Sequence, residues 1–349
     1  MLPLLEGDFG DPGRLHAEGR TVRVLLEQAR EQVAACFGAR AREVTFASSG
    51  TEAVNAALHW AHGHVVTTAV EHSSVREALA RAATDVTVVG VDGYGRFAAD
   101  EVIGAVRADT TVVSVQLANH EVGTLQPAAE VCAALRGRGG DVRVHVDACA
   151  AAGHVPLSFA ALGADLCSVA SETFGGPLGA GALLVRRGVR VPPLLVGGAQ
   201  ERARRAGIEN VPAWVGFGAA CADVDIAREA DTQRALIEIA AAGAGTVPGI
   251  ERLGATGDGT LPHVLCLGIA GVEAEPVLLA LDQHGVAVHS GSACSSEALE
   301  PSPVLAAMGA DADRSLRVSV GWSSVRADVD RFVGAFGGIV ERLRGLRTP

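Results

Sequence analysis

The chain has 349 residues, a formal net charge of −11, 48% hydrophobic residues and only 4% aromatic ones. That length exceeds one ordinary core and points to a large domain with a smaller companion; the acidic balance argues against a nucleic-acid surface, and no apolar run reaches the ~18 residues of a membrane span. The N-terminal "MLPLLEGDFG" lacks the basic and long apolar regions of a signal peptide, and seven scattered cysteines with no Cys-x-x-Cys pair read mostly as buried small hydrophobes of a protein in the reducing cytoplasm.

Residues 21–37 carry apolar side chains at helical spacing. "EVTFASSGTEAVNAALHWA" (43–61) reads as strand, glycine turn and helix. Short apolar runs then recur at 64–72, 85–92, 110–123, 143–153 and 164–176, each ending in polar residues, and "GAGALLVRRG" adds another strand. Runs of this kind alternating with helices define a mostly parallel sheet covered on both faces, whose ligands sit at the carboxyl ends of the strands. After about residue 210 a long helical stretch, "VPAWVGFGAACADVDIAREADTQRALIEIAAA", reads as a connecting helix. "PHVLCLGIAG", "AEPVLLALDQHG" and "SLRVSVGW" then read as strand, helix and strand of a smaller α+β domain. The expected boundaries are 9–225 for the large domain and 226–349, with some N-terminal residues, for the small one.

One count constrains the chemistry directly. All 29 Lys+Arg residues are arginines, so no mechanism can use a lysine amine of this chain.

Seven segments, in order, carry a resemblance: "FGDPGRLHAEGR" (9–20), "SSGTEAVN" (48–55), "EHSSV" (71–75), "NHEVGTLQP" (119–127), "HVDACAAAGHVPL" (145–157), "GGAQERARRAGIENVPA" (197–213) and "SGSACSSEALEPSPVLAAMG" (290–309). Together they resemble the cysteine desulfurases of the class-V aminotransferase group, proteins of fold type I that use pyridoxal phosphate (PLP). The resemblance implies a fold-type-I large domain with a mostly parallel seven-stranded sheet, plus a small α+β C-terminal domain. It implies that Asp147 pairs with the pyridine nitrogen, that His72 stacks on the ring, and that Thr51 with the Gly50 backbone cradles the phosphate at a helix N-terminus. Read as residues alone, Asp147 and Thr51 also suit helix capping, and His72 an ordinary polar position after a strand. Arg317 matches the arginine that binds the substrate carboxylate, and Cys294 the sulfur-accepting cysteine; a surface ion pair and a relic thiol are the plain alternatives.

The departures from the family pattern share a direction. Thr173 stands where the Schiff-base lysine belongs, and Glu172 replaces the histidine before it. Ala170 replaces a phosphate-binding serine, Ile208 a threonine that reaches across the dimer interface, Ala150 a glutamine on the ring hydroxyl, and His120 an asparagine near the ring. Three lost charge-assisted hydrogen bonds, at roughly 1.5–3 kcal/mol each, would weaken PLP binding ~10³-fold or more. Glu172 adds repulsion toward a dianionic phosphate.

The sequence therefore supports a desulfurase-like protein that holds PLP weakly and non-covalently if at all, and acts as a persulfide relay, scaffold or regulatory subunit through Cys294. A rebuilt pocket using His72, His120, Asp147 and Glu172 in PLP-independent acid/base chemistry, and a slow desulfurase with non-covalent PLP, are the alternatives. The expected partners are a second copy or an active lysine-bearing paralogue, together with a sulfur acceptor. "ERARRAGIEN" resembles the family's interface-crossing segment, and the apolar "VPAWVGFGAA" needs cover. No metal-ligand pattern surrounds Cys294.

Overall fold

A computed structural model describes residues 1–7, 10–137, 141–290 and 301–346. The chain divides into two compact units, residues 1–89, 98–117 and 127–226 forming one, and 90–97, 118–126 and 227–349 the other.

The first unit is built on seven strands: β1 (Val44–Ala47), β2 (His64–Thr68), β3 (Asp85–Val89), β4 (Thr110–Gln116), β5 (Arg143–Asp147), β6 (Leu166–Ala170) and β7 (Gly181–Val185). They lie in the order β1-β7-β6-β5-β4-β2-β3; β3, β2, β4, β5 and β6 are mutually parallel, while β7 is antiparallel to both β6 and β1. Strands β1, β2, β6 and β7 are buried along their whole length, which explains why they read as continuous rather than alternating apolar runs. Two histidines tolerate this interior because hydroxyls satisfy both ring nitrogens. His64 bonds Thr110 and Thr87 at 2.7 and 2.8 Å, and His145 bonds Ser114 and Ser168 at 2.9 Å each.

Helices α1 (Leu2–Glu6), α2 (Ala17–Cys36), α3 (Gly50–Leu58), α4 (Ser73–Ala82), α5 (Ala99–Gly104), α6 (Ala128–Gly137), α7 (Phe159–Leu162), the short turn α8 (Gln200–Ala203) and α9 (Val211–Asp223) complete this unit. The described N-terminal residues belong here rather than with the small domain, because Leu4 buries its side chain against Val22 and Val211. The apolar stretch after residue 210 needs no partner chain to cover it. In α9, Trp214 and Phe217 are fully buried; Trp214 stacks on Phe46 at 4.9 Å, and its Nε1 donates to Ala47 O. Nor is the stretch one helix: extended Val224 ends α9 before α10 (Ile226–Ala244) begins.

The second unit has an antiparallel sheet ordered β10-β11-β9-β8, from β8 (Ile250–Leu253), β9 (Val264–Ile269), β10 (His289–Ser290) and β11 (Ser315–Ser319). Its core joins Leu265, Leu267 and Leu316 to Phe332 and Phe336 of α13 (Arg326–Leu346), with α10 and α11 (Ala274–Asp282) packed into it; the short α12 (Pro303–Ala307) belongs to the same unit. Edge strands β8 and β10 are too short to have been read from the sequence, whereas α13 was missed although Val329, Phe332, Phe336, Ile339 and Val340 recur at helical spacing.

Candidate functional site

The carboxyl ends of β2, β4, β5 and β6 share one edge of the large sheet because these strands are parallel. Gln116 is in register with Asp147, and Asp147 with Ser168. Asp147 is buried there, and its Oδ1 accepts the Cys149 backbone N–H at 3.0 Å. Burial raises the Cys149 thiol well above the ordinary range, and the charges of Asp147 and Glu172 push it further the same way. Sequence reasoning missed Cys149, reading it as packing. Its signal was its place two residues after the strand-end aspartate.

Helix α3 starts against this corner. Gly50 is required by close approach: a Cβ there would lie 2.7 Å from Cys149 Sγ and 3.2 Å from the Ala170 methyl. Ser49 caps the helix by accepting the Glu52 N–H, and Glu52 in turn accepts the Ser48 N–H. The Glu52 carboxylate is also held by both prongs of Arg205, at 2.9 and 3.3 Å. Ser49, not Thr51, is thus the capping residue; Thr51 lies exposed in the first turn.

His72 is the N-cap of α4, its Nδ1 accepting from Ser74 N and Ser74 Oγ. The preceding Glu71, missed in the sequence, is buried and accepts from Gln116 N and Thr68 Oγ1. After β6 the chain passes Ser171 into the 3₁₀ turn Glu172–Phe174. Glu172 is exposed. Thr173 is half-buried, donates its Oγ1 to Ala170 O, and accepts at its carbonyl the Nε2–H of His154 at 2.7 Å. Ala150 is half-buried and Ile208 exposed.

His120 and Arg317 belong to the second unit. Arg317, on β11 opposite Cys266 and His289, donates Nη1 to His120 O at 3.1 Å. Asn119 Oδ1 accepts the N–H groups of Glu121 and Val122, which turns the chain at Gly123 (φ +77°). Glu121 is buried; it accepts the Ser302 hydroxyl at 2.6 Å and lies 3.4 Å from His120 Nε2. Cys294 falls within residues 291–300, outside the described residues.

The class-V aminotransferase family model matches residues 10–332, and the chain belongs to this family. Its relatives narrow the class to cysteine desulfurases. It is 36% identical to the cysteine desulfurase IscS of Methanosarcina thermophila over 99% of this chain and 89% of that one. It is 37% identical to the cysteine desulfurase of Trichormus azollae, over 99% and 90%. Among solved structures it matches a NifS-like protein with a TM-score of 0.90 at 28% identity over 98% of this chain and 94% of that one, and the NifS-like protein of Rickettsia africae at 0.87 and 27%, over 97% and 94%.

The residues present do not fit PLP in the covalent mode of this family. There is no lysine amine to form the imine. The hydroxyl of Thr173 is tied to the Ala170 carbonyl, and a methyl of Ala170 faces Gly50 where the family pattern has a hydroxyl donor. Asp147 Oδ1 already accepts the Cys149 N–H.

Proposed function

We propose that this cysteine desulfurase-like protein works in sulfur transfer without covalently held PLP, with Cys294 as the group that carries sulfur. The Cys294 thiolate attacks the outer sulfur of a donor persulfide. The donor S–S bond breaks, the donor leaves as a thiolate, and Cys294 retains the sulfur as a persulfide for an acceptor. The observation that carries this reading is the absence of lysine from the entire chain. The protein works as a homodimer or beside a lysine-bearing paralogue. Leu178, Val196 and Ile208 of the first unit, exposed at 82%, 81% and 66%, support such an interface.

The test mixes the purified protein with PLP and cysteine, and separately with a small-molecule persulfide. Absence of a protein-bound chromophore near about 400 nm, no sulfide release, and gain of one sulfur on Cys294 by mass spectrometry are expected. Catalytic sulfide release would instead establish a desulfurase using non-covalent PLP. A Cys294 that takes up no sulfur from the donor removes the relay.

A further inference from the structure

In a chain of net charge −11, one corner of the first unit is strongly cationic. Because β7 is antiparallel to both its neighbours, β1 runs parallel to β6. The amino end of β1 therefore meets the carboxyl end of β7 at the sheet edge opposite the candidate site. Hydrogen bonds tie the segments there together. The Arg187 N–H donates to Glu43 Oε1 at 3.1 Å, Arg202 Nη1 to Ala41 O at 3.4 Å, and Arg204 Nη1 to Arg42 O at 3.1 Å. Arg40, Arg42, Arg187 and Arg190 are exposed and Arg204 is half-buried; none of them makes an ion pair among the described residues. The neighbouring acids are already engaged. Glu201 holds Arg30, Asp165 holds Arg186, Glu27 holds Arg30 and Arg202, and Glu43 accepts the N–H groups of Arg40 and Arg187. Arg204 and Arg205 flank a narrow apolar slot walled by Leu183, Val185, Val191, Pro192, Leu194 and Leu195. Arg205 is spent on Glu52, whereas Arg204 reaches only the neutral oxygens of Arg42 and Thr45. Burial, and then the charge of Arg202, lowers the Arg204 pKa from its ordinary value, as expected of a guanidinium that lacks a counter-charge.

We propose that this corner docks an acidic segment of a partner protein, with an aliphatic side chain in the slot and carboxylates on the arginine rim. Unpaired guanidinium groups take carboxylates with two-pronged geometry, and a rim of one sign speeds the encounter with an oppositely charged partner. Arg204, at the mouth of the slot, joins the two requirements: the carboxylate that supplies its missing counter-charge belongs beside the side chain that fills the slot. The slot favours a polypeptide over a nucleic acid, which has no aliphatic side chain to seat. This surface lies on the sheet edge away from Asp147, so docking and sulfur transfer can be tested separately.

The test titrates the full chain into a fluorescein-labelled peptide, Glu-Glu-Leu-Glu-Glu-Leu-Glu-Glu, at about 0.15 M salt and follows anisotropy. An all-glutamate peptide and a single-stranded oligonucleotide of the same length are the comparisons. The leucine-bearing peptide is expected to bind about tenfold more tightly than either. Arg42→Glu with Arg187→Glu, both at exposed positions, should weaken that binding by about tenfold or more. Arg326→Glu, in the second unit, should leave it unchanged. Leu194→Ser should erase the preference for leucine over glutamate alone. Circular dichroism checks that each variant keeps its fold. Equal binding of all three probes, tighter binding of the oligonucleotide, or binding unaffected by the double charge reversal overturns the proposal. So does a Leu194→Ser protein that changes its oligomeric state in light scattering but keeps its peptide affinity, because the slot then belongs to a second copy of this chain.

Discussion

Arg30 and Glu201 form a buried two-pronged ion pair, Nη1 to Oε2 and Nη2 to Oε1, each 2.6 Å. Glu201 Oε2 also accepts the Phe46 N–H, and the Arg30 guanidinium lies 4.8 Å over the Phe46 ring. This clamp holds Glu201, Arg202 and Ala203 at φ of 48°, 60° and 60°, left-handed conformations that cost about 1–2 kcal/mol each for non-glycine residues. Glu201→Gln leaves the guanidinium buried without its counter-charge and is expected to destabilise the fold by about 3–5 kcal/mol, read from urea unfolding. A loss below about 1 kcal/mol would show that the clamp does not hold the loop.

His145 makes stability acid-sensitive. Burial lowers its pKa to about 4, below the roughly 6.5 of the unfolded chain. The unfolded state therefore binds the proton more readily, and stability falls as pH drops from about 6.5 to about 4, by roughly 3 kcal/mol in all. Urea midpoints measured across this window should show the slope, and His145→Asn should remove this contribution to it.

Gly153→Ala is expected to destabilise by about 2–4 kcal/mol. Gly153 has a φ of +77°, and a Cβ there would collide with the Phe174 ring next to Thr173. Thermal unfolding reads the change; a shift within error would mean that the 3₁₀ turn yields freely.

Restoring the amine alone should not restore desulfurase chemistry. Thr173→Lys would place an ammonium beside Glu172, an arrangement favouring an ion pair over the neutral nucleophile, and Ala170, Ala150 and Ile208 would still provide no donors. A yellow Thr173→Lys protein releasing sulfide at rates typical of the family would refute this.

Alkylation should rank the thiols, with Cys294 first, from its Gly/Ser-rich setting, then Cys36, and Cys149, Cys167 and Cys266 last because burial raises their pKa values. Timed labelling with mass spectrometry checks the order, and early labelling of Cys149 would contradict its enclosure.

The sequence alone determined the large sheet, because fully buried strands such as β2 and β6 must be continuous apolar runs and their polar ends mark one edge. It also determined, by a count, that no lysine of this chain can form an imine. Tertiary structure decided what sequence spacing does not encode. "VPAWVGFGAA" looked like an uncovered surface, yet Trp214 and Phe217 pack within their own unit, on Phe46 and Phe37. Cys149 looked like packing, yet the turn after β5 puts its N–H on Asp147 and its sulfur against Gly50. Phe37 and Phe217, 180 positions apart, become neighbours only where the end of α2 meets α9. Local pattern reports which face of an element is apolar; which groups meet across two such faces is set by the packing of the whole unit.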